Sequence, residues 1–314
     1  MNLKNTMFVL VIVVFLLQMV VLKQDAKTTS NDLNITQKPV VALSTFALYD
    51  IAKNIAKDKL VTYMILPIGT DIHSFEPNPK DIVKLNLSSL VIYSGASLEP
   101  WIANLNFKNK NIDMSKHVEL IQIKEHTHHK HDAKSCSHKG VDPHYWLSIT
   151  NMIKATKVMT DAFIDLDKVN KDFYLQNQKS YIASLKKLDE LYKNTLLECK
   201  NKEILTNHNA FSYLADSYGF EIHSLSAVSP DAEVDAKSMI SLIKRIKEHH
   251  TSTIFYESFV SSKAMESVAH EANIKVDVLQ PLANITSKEL EENLSYVDMM
   301  KQNLVKLKNV MDCR

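Results

Sequence analysis

The sequence predicts an α/β protein of two lobes, each a parallel sheet flanked by helices, bridged by one long helix. Three observations carry this. Apolar runs of strand length recur along the chain, separated by stretches with helical spacing, which is the pattern of a parallel sheet with crossovers. The pattern occurs twice, once on each side of the middle of the chain. Between the two sets, Tyr181, Leu185, Leu188 and Tyr192 repeat at spacings of four, three and four. That spacing places one apolar stripe on a helix from roughly 170 to 198, about 40 Å long at 1.5 Å per residue.

The elements follow in order. Lys4 and the apolar stretch Phe8 to Leu22 read as a targeting segment, too short for a comfortable membrane span. Residues 1–26 are therefore expected to be a signal peptide or an uncleaved anchor, and residues 27–38 a disordered leader. The first lobe is expected over residues 39–168. Its strands are Val40 to Ser44, Val61 to Leu66 (ended by Pro67) and Leu90 to Tyr93 (ended by Gly95), and Leu48, Ile51, Ala52 and Ile55 mark its first helix. The segment 124–140 carries five histidines and almost no apolar residues, so it cannot join a core and reads as a loop. Asn170 is positioned to cap the long helix of the connecting segment 169–199. The second lobe, 200–314, shows strands at Glu203 to Thr206, Phe220 to Ser224, Thr253 to Tyr256 and Lys275 to Leu279. Helices are expected from Phe211 to about Gly219 and from Ala236 to Glu248.

Composition excludes several functions. The 314 residues include 37 basic and 36 acidic side chains, for a net charge of +1, and nothing in that balance suggests a nucleic-acid partner, which usually demands a clearly basic face. Gly69, Gly95, Gly140 and Gly219 are too far apart to form a phosphate-cradling loop. The three cysteines, Cys136, Cys199 and Cys313, include no CxxC pair. Their odd number leaves at least one unpaired within a monomer, and whether Cys199 pairs with Cys313 stays open at this point.

His73, His144 and His208 stand out. Each follows or nearly follows a strand end or tight turn, and they are 71 and 64 residues apart. That spacing excludes a zinc finger but suits a site that folded lobes assemble from separate loops. Neutral imidazole is a good zinc ligand.

The surrounding runs are Leu66-Pro67 through Asp71-Ile72-His73-Ser74-Phe75-Glu76-Pro77, then Asp142-Pro143-His144-Tyr145-Trp146-Leu147, then Thr206-Asn207-His208-Asn209-Ala210-Phe211. Ser229 to Glu233 and Ile254 to Glu257 add to them. With these runs the chain resembles the solute-binding proteins of ABC transporters for zinc and manganese, and among them the ZnuA zinc-binding proteins, over about residues 39 to 312. The resemblance implies two lobes bridged by a rigid helix, with His73 and His144 from the first lobe and His208 from the second holding one Zn2+ in the cleft. It implies delivery of that ion to the membrane permease subunit of a zinc importer, an extracytoplasmic location, and no catalysis. Manganese-type relatives usually carry Glu at the third position and complete the site with a C-terminal Asp. Here the third residue is His208, and the Asp position is read as Leu294. Both departures favour zinc, since manganese prefers carboxylate oxygens. A fourth ligand is left to water, Glu257 or a loop histidine, with water or a mobile acid expected.

Three alternatives stand beside this reading. A manganese or other divalent-metal binding protein is one. A metal-binding adhesin is another. A zinc hydrolase would need a general base beside the ion; the chain has no HExxH run, and Glu76 is the nearest proposal. The His-rich loop could pre-concentrate zinc, sense its excess or bind other metals weakly. Capture by imidazole requires its neutral form, so it should weaken as pH drops below about 6.5. The ion is also expected to hold the lobes together.

Overall fold

The computed structural model describes residues 38–123, 140–226, 252–258 and 263–314, with a few positions between 240 and 248. The targeting segment, the leader up to residue 37, the His-rich loop up to residue 139, the Ser229–Glu233 run and most of the helix expected at Ala236–Glu248 lie outside these residues.

The first sheet is centred on β1 (Val40–Leu43), whose side chains are almost wholly apolar and buried. β2 (Val61–Met64) pairs with it in parallel on one side, Val40 opposite Val61, and β3 (Leu90–Tyr93) pairs on the other. β4 (Lys110–Asp113) closes the far edge, giving the order β2-β1-β3-β4. The sequence reading missed β4: Ile112 is its one strongly apolar residue, because an edge strand with a wet face needs no apolar run. The second sheet contains β5 (Glu203–His208), β6 (Glu221–Ser226), β7 (Thr253–Tyr256) and β8 (Lys275–Val278). All pairs are parallel and the order is β6-β5-β7-β8, so the topology of the first sheet is used again.

The helices start where their caps dictate. α1 (Phe46–Ala56) opens with Thr45 accepting from the Leu48 amide, and buries Phe46, Leu48, Ile51 and Ile55. α2 (Pro79–Leu87) has Pro at its first position and a reciprocal capping box between Asn78 and Asp81. α3 (Ile149–Leu166) is capped by Ser148. The long helix is α4 (Lys171–Thr195), 25 residues, three shorter at its end than the spacing suggested. Asn170 precedes it but makes no side-chain cap hydrogen bond, and its Nδ2 donates to Asp167 Oδ2 at 2.6 Å. α5 (Ser212–Tyr218) stops at Gly219, whose φ of 73° is left-handed. α6 (Lys263–Ala272), α7 (Ser287–Glu291) and α8 (Tyr296–Val310) complete the chain, the last two opened by capping boxes at Thr286/Glu289 and Ser295/Asp298.

The stripe on α4 faces inward as its spacing required: Tyr174, Tyr181, Leu185, Leu188 and Tyr192 are buried. Two of these side chains tie it to different parts of the fold. The Tyr181 hydroxyl donates to Asp50 Oδ2 in α1 at 2.7 Å, and the Tyr192 hydroxyl donates to the Met300 carbonyl in α8 at 2.7 Å. Just past α4, Cys199 is disulfide-bonded to Cys313, which settles that pairing. One apolar cluster runs from Val41 to Cys313 across both sheets, and each sheet adds a smaller cluster of its own, around Ile65 and Trp101 in the first and around Ile254 and Val268 in the second.

Candidate metal centre

The site lies at the carboxyl ends of the strands, where parallel sheets place ligand loops. His73 stands in the loop after β2. Its backbone amide donates to Asp71 Oδ1 at 3.2 Å, and this short Asp-x-His turn fixes the residue in its loop. His144 uses the same device: its amide donates to Asp142 Oδ1 at 2.9 Å, just before the 3-10 turn Tyr145–Leu147 that leads into α3. His208 is the last residue of β5. The three residues are 8%, 2% and 0% exposed.

The structure brings all three together. One ring nitrogen from each lies within 4.8 Å of the others, and the ring centroids are 5.3, 5.5 and 5.9 Å apart. The Nε2 atoms of His73 and His144 are 3.3 Å apart. Two ligands at about 2.0–2.1 Å from a tetrahedral ion stand roughly 3.3–3.4 Å from each other, so this pair already has the spacing of one tetrahedral edge. His208 Nε2 is buried and has no hydrogen-bond partner among the described residues. A buried imidazole nitrogen without a donor or acceptor is costly unless it meets a cation. The donor set therefore fits a divalent metal ion.

Carboxylates stand behind two of the rings. His144 Nδ1 lies 2.8 Å from Asp142 Oδ1, and His208 Nδ1 lies 2.5 Å from Glu257 Oε1. Glu257, one of the residues considered for the fourth ligand, thus backs His208. Among the described residues no acid or cysteine joins the three-histidine cluster. Trp146 packs edge-on against the His144 ring at 5.4 Å and donates from Nε1 to the Pro281 carbonyl.

The second lobe reaches the His73 loop through the segment after β8. Asn284 Nδ2 donates to the Pro67 and Thr70 carbonyls, and the Gly69 amide donates to Ile285. Leu294, read from the sequence as the position of a missing acid, instead lies in the turn after α7, its amide donating to Glu289. Glu76 is exposed, and His117 and His270 are exposed as well. His223 pairs with Glu203 on the half-exposed face of β5 and β6, with Glu221 nearby.

Residues 41–310 match the family described as zinc-uptake complex component A, periplasmic. The high-affinity zinc uptake system protein ZnuA of Bacillus subtilis (strain 168) is 34% identical over 276 residues, covering 86% of each chain. The structure of Zn(II)-bound AdcA from Streptococcus pneumoniae superposes with a TM-score of 0.74 at 28% identity, covering 88% of this chain and 58% of that one. The chain thus spans little more than half the length of the AdcA relatives it matches. The structure of the laminin-binding protein Lmb of Streptococcus agalactiae, described as bifunctional with adhesin and metal transporting activity, gives a TM-score of 0.77 at 26% identity, covering 87% of this chain and 99% of that one. The match over nearly the whole described chain, on a fold of two like sheets with three converging histidines, shows that the protein belongs to the ZnuA family of zinc-uptake solute-binding proteins, which are binders and not enzymes.

Proposed function

We propose that the protein is the extracytoplasmic solute-binding component of an ABC importer for zinc. It captures one Zn2+ between its lobes on His73, His144 and His208, and hands the ion to a membrane permease. The observation that carries this reading is the convergence of three buried imidazoles, two of which hold their Nε2 atoms at the spacing of one tetrahedral edge. The apolar segment near the start of the sequence supports an exported protein. An all-imidazole donor set supports zinc over manganese, which favours oxygen ligands. The fourth position is left to water or to a group the permease brings.

Each ligand has a defined part. His73 and His144 form a fixed edge within the first lobe. His208, at the end of β5, supplies the third corner from the second. Burial of all three keeps bulk water from competing for the ion. Glu76, the base considered for hydrolysis, is exposed and does not join the histidine cluster.

The test is metal titration of the stripped protein, alongside a His73→Ala, His144→Ala, His208→Ala variant and a version lacking residues 124–139. One tight zinc per chain, abolished in the triple variant and kept without the loop, is the expected result. Tight binding that survives the triple variant, or vanishes with the loop alone, would transfer the site to the His-rich segment. A surface-adhesion role is the second reading, favoured by the similarity to Lmb. Deleting the cognate permease separates the two, since an uptake protein then loses its role and an adhesin keeps it.

A further inference from the structure

We propose that Asp142 and Glu257 are positioning residues, one from each lobe, that hold His144 and His208 with Nε2 turned toward the metal. The inference rests on the three-histidine reading above and deepens it.

The geometry at Asp142 is the clearer half. A single oxygen, Oδ1, accepts from the His144 backbone amide at 2.9 Å and lies 2.8 Å from the ring Nδ1. Gripping both ends of the residue leaves the imidazole little freedom to turn. Asp142 is itself held on both sides: its amide donates to the Ile121 carbonyl, and its carbonyl accepts from the Tyr213 hydroxyl at 2.7 Å. Trp146 closes against the His144 ring.

In the second lobe Glu257 directly follows β7, is buried, and places Oε1 2.5 Å from His208 Nδ1. A carboxylate only accepts, so the nitrogen facing it must carry the hydrogen. In both rings that nitrogen is Nδ1, which is hydrogen-bonded to Asp142 in His144 and, in His208, in close contact with Glu257 without hydrogen-bond geometry. The lone pair is then on Nε2, which for His144 is the atom 3.3 Å from its counterpart on His73. The tautomer required for coordination is thus set before an ion arrives, and binding needs no ring flip or proton shuffle between the two nitrogens. The negative oxygen behind each ring also makes its free nitrogen a stronger donor. Residues in this relation to a metal ligand typically govern affinity by about 10–100-fold.

The experiment uses the full chain, stripped of metal, as Asp142→Ala, Asp142→Asn, Glu257→Ala and Glu257→Gln variants, with His144→Ala and His208→Ala beside them. Zinc affinity is read by competition with a chromophoric chelator, and the coordination geometry by the visible absorption of bound Co2+. Urea unfolding of the metal-free protein is run in parallel. The alanine variants should bind zinc about 10–100-fold more weakly and give an altered cobalt spectrum. Asn at 142 and Gln at 257 keep an oxygen that can accept from Nδ1–H, so they should recover most of the wild-type spectrum but only part of the affinity. Alanine variants with wild-type affinity and spectrum would overturn the proposal. So would a loss of affinity that follows metal-free stability while the cobalt spectrum stays unchanged. If His144→Ala and His208→Ala themselves leave zinc binding intact, the three-histidine reading fails and this inference falls with it. If they abolish binding while the carboxylate variants behave as wild type, this inference alone fails.

Discussion

Replacing Glu99 by Gln should remove a pH dependence from the stability of the fold. Glu99 lies just beyond β3 and is 3% exposed. Its Oε1 accepts from the Ser94 amide at 2.8 Å and its Oε2 from the Gly95 amide at 3.0 Å. Burial pushes the carboxyl from 4.5 up to about 7, against the opposing pull of hydrogen bonds from Ser44, Ser94 and Gly95. Below pH 4.5 both the folded and the unfolded chain hold the proton. Between 4.5 and about 7 the unfolded chain releases it while the folded chain keeps it. The stability from this group is therefore complete below 4.5 and is lost as pH rises through about 7. At 1.36 kcal/mol per pH unit, the loss is roughly 3 kcal/mol. Gln cannot ionise. It also turns an NH2 group toward one of the two amides, so the variant should be less stable at low pH, by about 1–3 kcal/mol for the amide left unsatisfied. The diagnostic quantity is the difference between the two proteins, in which the other titrating groups cancel. Urea unfolding of both, metal-free, from pH 4.5 to 8 should show the wild-type advantage shrinking by roughly 3 kcal/mol. Parallel curves across that range would refute the argument.

Two further predictions concern how the chain is tied together. The Cys199–Cys313 bond closes a loop with a sequence separation of 114 residues that contains the whole second sheet. Loop-closure entropy puts an upper value of about 5 kcal/mol on it, so a Cys199→Ser, Cys313→Ser variant should unfold at clearly lower urea, and coincident unfolding curves would refute this. Asn284 is 1% exposed and donates to the Pro67 and Thr70 carbonyls at 2.7 and 2.8 Å. Asn284→Ala should cost about 1–3 kcal/mol and weaken zinc binding as well, because Pro67–Thr70 leads into His73; a variant unchanged in both urea unfolding and zinc titration would sink that reasoning.

Much of this organisation was legible in the residues. The run Leu90–Tyr93 and the run Thr253–Tyr256 are strands over the very residues their apolar character marked, because each is buried on both sides of its sheet. The long helix was legible because a buried stripe on a solvated helix leaves a spacing of threes and fours. Its end was not, since Leu196 to Lys200 could extend the helix by propensity, and the bridge from Cys199 to Cys313 turns it instead. β4, α2 and α8 were missed for different reasons. β4 lacks an apolar run. The two helices carried readable caps, at Asn78-Pro79 and Ser295-x-x-Asp298, that were not used as start signals. The histidines were legible from the runs around them, but their carboxylate partners were only half so. Asp142 sits two residues before His144, and the repeated Asp-x-His pattern at Asp71 and Asp142 was available as a signal. Glu257 is 49 residues from His208, and only folding puts the two in contact.

The lobes are also attached to each other by bonds that do not pass through the three histidines. Pro281 to Ile285, from the second lobe, is bound to the first by the Trp146 indole, by both amide hydrogen bonds of Asn284, and by backbone bonds from Phe46 to Ala283 and from Gly69 to Ile285. The Tyr296 hydroxyl donates to the Trp146 carbonyl, and the Tyr296 amide donates to Asp50, which also accepts from Tyr181 of the long helix. These partners lie 131 to 246 residues apart along the chain, so no local pattern announces them. They join the lobes independently of the three histidines, over an apolar cluster that both share. His208 contributes none of these bonds. Its removal should then take away one corner of the metal site while the lobes stay joined, which separates loss of affinity from loss of fold in any His208 variant.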